Sequence, residues 1–331
     1  MINFLIIGSN SFSGSSFINF LIKKKHRVVG ISRSKEKNDL FASYKNQKDY
    51  KKKFKFYKLN INSNKDLDKI KKIVNHFKPK FIINFAAQGM VNESWDKPED
   101  WYNTNIVAQT KLYKILKGKF LKKIIHVTTP EVYGDKSSII NEEASFNPST
   151  PYAVSRMALD FHLKLYCKNF GFPIIFTRTA NVYGPTQDLY RIVPKTILFS
   201  HLNKKIFIDG TGQSRRSFIY IDDASEATYT ICKKGKIGET YHISTNRLIS
   251  IKNLVKKIYL KKSKKNLKLI EHKIDRVGKD QLYHLSSKKL RDQLKWKPKF
   301  SLEQGLFLTE KWIKNNIKRL SKTNSNYSHK K

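Results

Sequence analysis

Short apolar runs alternate with amphipathic stretches through the first half of the chain. Residues 2–7, 27–31, 54–59, 81–85 and 124–127 are compact hydrophobic runs, the pattern of parallel strands covered on both faces. Residues 17–25 and 65–77 carry helical spacing, and residues 98–116 and 149–169 predict two longer helices. Residues 35–53 are polar and loop-like. This β-α rhythm predicts an α/β fold built on a doubly wound parallel sheet. After a further strand at residues 173–177 the alternation breaks at residues 178–185, which places a boundary near residue 180. Beyond it lie an apolar segment at 190–202, a turn at 209–212, a strand at 217–221, a loop at 274–280 and a helix at 302–312. Asp222 and Asp223 read as structural carboxylates opening a helix. The expected division is 1–180, a smaller C-terminal α/β lobe over 181–313 with some chain crossing back, and a basic, disordered tail over 314–331.

With 331 residues and 39% hydrophobic content, the chain can bury a substantial core. Cys167 and Cys232 stand far apart with no C-x-x-C pattern, which argues for a reducing compartment and against a disulfide scaffold or a cysteine-based metal site; no metal is expected. Residues 1–7 lack the basic start and the length of a secretory signal, and no run reaches the roughly 18 apolar residues of a membrane span. A soluble cytoplasmic protein is therefore expected, without a membrane partner. The formal charge of +40 invites a nucleic-acid reading. Against it, the basic residues are mostly Lys and are spread over nearly every segment, as on a solvated surface.

The first run ends in Gly8, followed by S-N-S-F-S-G to Gly14 and then a helix. A strand, a glycine turn and a helix form the unit that holds a pyrophosphate on backbone N–H groups. Gly8, Ser11, Phe12 and Gly14 are thus candidate cofactor-binding residues. After the second strand, Ser32, Arg33 and Ser34 stand where an acidic residue would bind the ribose of NAD. Arg33 instead suits the 2′-phosphate of NADP, which is the expected cofactor, with NAD as the alternative. Asn60 ends the third strand within reach of an adenine, and the small residues Ala86 and Ala87, with Gln88, let the fourth strand end lie against the cofactor.

Two tyrosine-centred patterns follow: V-T-T-P-E-V-Y-G-D from Val127, and S-T-P-Y-A-V-S-R ending at Arg156. A tyrosine titrates near pH ~10 unless a neighbouring cation favours its ionised form. Tyr152 and Arg156, spaced i and i+4, project from one helix face and supply that pair, although exposed helix neighbours often share this spacing. Thr129 and Glu131 lie just past a strand end, where open α/β sheets place their ligands. In the second lobe, Arg216 beside the 209–212 turn and Arg276 in the 274–280 loop suit capture of a diphosphate.

In this order along one chain, G-S-N-S-F-S-G, N-F-A-A-Q, T-T-P-E-V-Y-G, T-P-Y-A-V-S-R, N-V-Y-G-P and R-R-S-F-I-Y-I-D-D resemble the extended short-chain dehydrogenase/reductases acting on nucleotide sugars, within them the NDP-hexose 4,6-dehydratases. The resemblance implies a Rossmann-type sheet, an NDP-sugar substrate and a transient oxidation at C4. It implies that Tyr152 is the C4 base and Thr129 its hydrogen-bond partner. Glu131 would be the C5 base, Arg156 the cation beside the nicotinamide ribose, and Asn181, Arg216 and Arg276 the diphosphate ligands. Three positions depart from the family pattern: Arg156 replaces Lys, Pro130 replaces Asp or Ser, and Ser11 replaces a loop glycine. The helices at 98–116 and 149–169 carry apolar residues beyond one stripe, which suggests a homodimer seam. An NDP-sugar epimerase, 4-reductase or uronate decarboxylase on the same fold is the alternative. A non-catalytic nucleotide-binding protein with a basic nucleic-acid-binding surface stands behind both.

Overall fold

The structure, a computed structural model, describes residues 1–329 apart from 120, 276 and 279. In chain order its large unit contains β1 (Asn3–Ile7), α1 (Phe12–Lys23), β2 (Arg27–Ser32), β3 (Phe54–Lys58), α2 (Asn64–Phe77), β4 (Phe81–Asn84), α3 (Gln109–Leu116), β5 (Lys123–Thr128), α4 (Pro151–Phe170), β6 (Ile174–Thr179), α5 (Ile221–Lys234) and β7 (Thr240–Ile243). The seven strands form one sheet in the order β7-β6-β5-β4-β1-β2-β3, and every neighbouring pair is parallel. The chain thus winds outward in both directions from β1 and β4, leaving a crevice at their carboxyl ends.

Alternate residues of the strands feed two cores. Phe4, Ile6, Phe81, Ile83, Ile125 and Ile175 pack with Phe17 and Leu21 of α1 and Ile231 of α5. Leu5, Ile7, Ile82, Ile124, Ile174 and Phe176 pack with Ile70 of α2, Leu112 of α3 and Leu159 of α4. Because both faces are covered, the strands read as unbroken apolar runs. Truncating one of these buried isoleucines to Ala is expected to cost about 2–5 kcal/mol.

The smaller sheet is centred on strand Arg215–Tyr220, which pairs antiparallel with Leu248–Ser250 and parallel with Leu282–Leu285 and Asn181–Tyr183. Ile139–Ile140 pairs with Leu282–Leu285. Strand Ile206–Asp209 pairs separately with Ile270–Lys273. Helices Ile192–His201, Ile251–Leu260 and Leu302–Asn315 cover this lobe. α5 and β7 return to the large sheet from this part of the chain. Among the described residues, no helix is long and apolar enough to cross a membrane.

Several expectations need correction. The first helix begins at Phe12, five residues before the apolar pattern suggested, because Ser11 caps it. The stretch expected as a loop at 35–53 contains helical turns at Ser43–Asn46 and Tyr50–Lys53. The helix expected over 98–116 is interrupted by a π-helical segment, Asn103–Ala108. The tail expected to be disordered carries a helical turn at Ile317–Leu320 with Leu320 fully buried. Arg319 holds Asp39 through two bonds of 2.8 Å. A buried leucine and a two-pronged ion pair order a segment whose composition alone reads as solvated. Asp223 is structural, but it caps a distant segment: its carboxylate accepts from the backbone N–H groups of Lys299 (2.9 Å) and Phe300 (3.0 Å).

Candidate active site

The turn after β1 is built for close backbone approach. Gly8 adopts φ +80°, and a Cβ there would lie 2.5 Å from the Ala86 nitrogen. A Cβ at Gly14 would lie 2.5 Å from the Gly8 carbonyl oxygen. The Ser11 hydroxyl donates to Gly8 O (2.8 Å) and accepts from Gly14 N (3.0 Å), closing the turn and capping α1 in one stroke. Ser11 therefore does work that a loop glycine leaves to the backbone. Asn10 donates to Ser34 O (3.1 Å) and Lys35 O (2.9 Å), while its Oδ1 is buried without a partner. A glycine-tight turn at the amino end of a twelve-residue helix fits a dinucleotide pyrophosphate.

Around this turn, Arg33 Nη2 donates to Gln88 Oε1 (2.8 Å). Phe12 is partly buried against the core of the smaller lobe. Asn60 has its Oδ1 engaged by Asn62 N (3.1 Å), so it shapes the loop before α2. Ala86 and Ala87 are half-buried at the end of β4. Ala86 N donates to Asn84 Oδ1 (3.0 Å), and Ala86 O accepts from Gln109 Nε2 (2.7 Å). The π-helical segment supplies Asn105, which clamps the Gln88 backbone from both sides (2.8 and 2.9 Å) and reaches Ser155 Oγ (3.0 Å). π-bulges recur at functional sites. Sequence reasoning missed Asn105, because a single polar residue in an apolar helix carries no periodic signal.

Thr129 and Glu131 follow β5 directly, on the short 3-10 turn Pro130–Tyr133. Pro130 sits at the first position of that turn, where a fixed φ and a missing N–H are both tolerated. The Thr129 hydroxyl accepts from Glu131 N (3.4 Å) and hydrogen-bonds the Glu131 carboxylate. It also lies near enough to the Tyr152 phenol to favour its ionised form. Tyr152 stands in the first turn of α4, which is capped by Thr150 and anchored by Tyr152 N donating to Ser94 Oγ (3.2 Å).

Electrostatics decide what these groups can do. Burial pushes the Tyr152 phenol above its usual range, Arg156 pulls it back, and Glu131 pushes it further up. Glu131 is raised by burial and by Asp280, with Arg216 and Arg191 opposing. Arg191, at the start of helix Ile192–His201, thus acts on both the phenol and the carboxylate. It too was missed, since one more cation among 66 Lys and Arg carries no signal.

Arg156 lies beneath Tyr152, only 3% exposed, with Nη2 donating to Val127 O at the end of β5. Behind it is a fully buried polar cluster. Asp160 accepts from Arg178 Nη2 (2.6 Å) and Thr128 Oγ1 (3.1 Å) and lies 3.5 Å from His126 Nε2. His126 is held well below its ordinary range by burial, then by Arg156 and Arg178. Its Nδ1 pairs with Tyr113 OH (2.7 Å), which accepts from Asn84 Nδ2 (2.9 Å). Asp160 is therefore the carboxylate that balances the two buried guanidiniums.

On the far side of the cleft, Asn181 Oδ1 accepts from Tyr283 OH (3.0 Å). The Arg216 guanidinium covers the Tyr283 ring, 4.3 Å from its centroid, and donates to the carbonyls of Arg215 (2.8 Å), Asp280 (2.5 Å) and Gln281 (3.1 Å). Asp280 accepts from Ser149 Oγ (2.8 Å), tying the 274–280 loop to the start of α4. Arg276 lies outside the described residues. The structure thus brings Thr129, Glu131, Tyr152, Arg156, Arg191 and Arg216 within one another's electrostatic reach.

A family model described as GDP-mannose 4,6 dehydratase matches residues 5–309. The chain belongs to this family. It is an extended short-chain dehydrogenase/reductase of the nucleotide-sugar dehydratase group. It is 30% identical to a dTDP-glucose 4,6-dehydratase of Haemophilus influenzae over 94% of this chain and 98% of that protein. It superposes on the NAD complex of a Bacillus anthracis dTDP-glucose 4,6-dehydratase with a TM-score of 0.84 at 26% identity, covering 96% and 97% of the two chains. A Thermotoga maritima UDP-glucose 4-epimerase with UDP-glucose matches equally in shape, with a TM-score of 0.84 at 26% identity over 96% and 100%. Within this dehydratase family chain, the departures at Ser11 and Pro130 each have a local structural reason, a helix cap and a turn start. Arg156 keeps the cation and adds a bond to the β5 end.

Proposed function

We propose that the protein converts an NDP-hexose to an NDP-4-keto-6-deoxyhexose, acting as a nucleotide-sugar 4,6-dehydratase with a nicotinamide dinucleotide that each turnover regenerates. The observation that carries this reading is the joint placement of Glu131 and Tyr152 about the Thr129 hydroxyl. An epimerase acting at C4 needs a phenol there and has no need of a C5 base. Residues 1–180 would hold the dinucleotide and 181–313 the nucleotide sugar.

The Gly8–Gly14 turn, with Ser11 and Phe12, would hold the pyrophosphate, and Ala86, Ala87 and Gln88 would flank it. Bound there, the nicotinamide supplies the hydride acceptor for C4 and the hydride donor for C6. Tyr152 takes the proton of the 4-hydroxyl, with the Arg156 cation opposing the upward shift that burial imposes on the phenol, while Thr129 hydrogen-bonds that oxygen. Oxidation makes the C5 hydrogen acidic, and Glu131 removes it. Protonated Glu131, whose proton affinity burial already raises, then donates to the departing 6-hydroxyl, in the place of the acid that Pro130 removes. Reprotonation at C5 comes from solvent through Glu131. The C5 proton thus leaves with the 6-hydroxyl as water, and the hydride taken from C4 returns to C6. The proton that Tyr152 took from O4 passes to solvent to balance the one returned at C5, so the sum is loss of one water.

A Bacillus anthracis relative binds NAD, which supports NAD(H) as the cofactor here. The earlier expectation of NADP persists as a finer proposal resting on Ser32, Arg33 and Ser34, and apparent KM values for NAD and NADP decide it. The apolar residues exposed on the 98–116 segment and on α4, Tyr102, Val107, Phe161 and Leu165, support a homodimer through these helices. Phe161→Glu with Leu165→Glu should give a monomer in sedimentation analysis.

The test is incubation with dTDP-glucose, GDP-mannose and UDP-glucose in deuterated water. A 4-keto-6-deoxy product with deuterium at C5 is expected from one of them. Inversion at C4 without loss of water would replace this reading with an epimerase.

A further inference from the structure

The last described residues do not trail into solvent. From the buried anchor Leu320 the chain runs nine residues to His329, a reach of roughly 30 Å when extended. Along it, Asn326 Oδ1 accepts from Lys195 Nζ (3.3 Å), and the Tyr327 ring packs edge-on against Tyr190, 5.4 Å between centroids. Both partners belong to the smaller lobe. His329 then reaches the large sheet. Its ring stacks on Trp101 at 5.2 Å and 16°, its Nε2 donates to Asp100 Oδ2 (2.9 Å), and its Nδ1 accepts from Gln88 Nε2 (3.0 Å).

Gln88 links the segment to the end of β2, because its amide oxygen accepts from Arg33, the cation after that strand. The Tyr327 phenol lies within the fields of Arg33 on one side and Arg191, the cation beside Tyr152, on the other. The segment therefore touches both lobes, Lys195 and Tyr190 on one and Trp101, Asp100 and Gln88 on the other.

We propose that residues 324–329 form the outer wall of the dinucleotide site, a strap that Tyr327 and His329 fasten across the cleft so that the bound cofactor stays in place between removal and return of the hydride. This rests on the dehydratase reading, in which the same cofactor molecule must reduce the sugar it has oxidised. A surface strap of two ring contacts and three hydrogen bonds is of a size to slow release without preventing exchange.

The experiment compares the parent protein with a chain ending at Lys322 and with the full-length double variant Tyr327→Ala, His329→Ala. Release of bound reduced dinucleotide is followed by stopped-flow nicotinamide fluorescence, with excess oxidised dinucleotide as the chase. Release from both variants should be about tenfold faster than from the parent. Limited proteolysis of the parent beyond residue 322 should slow when dinucleotide is added. Release at the parental rate in both variants overturns the strap, and slower release does so as well, since the tail would then compete with the cofactor. Those outcomes leave the dehydratase reading standing. Failure of the parent to bind any dinucleotide overturns both.

Discussion

The two ends of the cleft are made from different materials. At the cofactor end the functional surface is backbone: the Gly8–Gly14 turn, the α1 amino terminus and the Ala86 strand end, with side chains such as Ser11 and Asn84 holding peptide groups in place. At the catalytic end it is side chain: Thr129, Glu131 and Tyr152 stand together, with the carboxyl and the phenol both raised by burial and opposed by Arg216 at the first, Arg156 at the second and Arg191 at both. A backbone site tolerates exchange of side chains that leave the path of the chain intact. A side-chain site tolerates exchange only where charge and reach survive, as they do when Arg stands for Lys at position 156.

The largest expected effect tests that contrast at its centre. Tyr152→Phe should lower kcat by about a thousandfold, within the range for losing a general base, while equilibrium titration finds dinucleotide affinity unchanged. Weakened cofactor binding of similar size would erase the distinction between the two ends. Glu131→Gln should lower product formation by about a hundredfold yet leave the first oxidation intact, so absorbance of reduced cofactor should build up with sugar present. In the parent, the acid limb of kcat against pH should lie above the ordinary carboxylate range, because burial raises Glu131 and the base must be ionised.

Gly8→Ala attacks the other material. A side chain there meets Ala86 N and a left-handed backbone at once, so about 2–3 kcal/mol of dinucleotide affinity should be lost, with kcat at saturating cofactor near the parental value. Arg156→Met removes the cation nearest the phenol; the tyrosine is then harder to ionise, and the activity profile should move toward alkaline pH. Arg156→Lys should keep both profile and rate close to the parent. The smallest change is expected for Ser11→Ala, where loss of a helix cap costs about 1 kcal/mol of stability in denaturant titration.

The sheet was legible because strands covered on both faces declare themselves as apolar runs, and Phe4, Ile82 and Ile124 lie where those runs placed them. Thr129, Glu131, Tyr152 and Arg156 were legible because residue types tied to proton transfer fell at strand and helix ends. Where cues were polar and isolated, the reading failed. The residues S-G-S-S after Phe12 hide a helix that its cap begins. Asn60 offered an acceptor that its own loop consumes. Asn105, Arg191, Asp160 and His329 act through partners far away in sequence, and no local period records such pairings. The tail misled for a related reason: its basic, polar composition outweighed a single buried leucine.

The π-helical segment Asn103–Ala108 gives the molecule an unusual point of adjustment. A wider turn holds one residue more than an α-turn, so deleting a single residue there would restore regular helix with the flanking turns in register and remove the bulge that presents Asn105. Asn105 would swing off the Gln88 peptide while the scaffold stayed intact. Length change at this spot would thus loosen the wall of the crevice without unfolding it, making insertion and deletion, rather than substitution, the finer instrument for retuning cofactor residence.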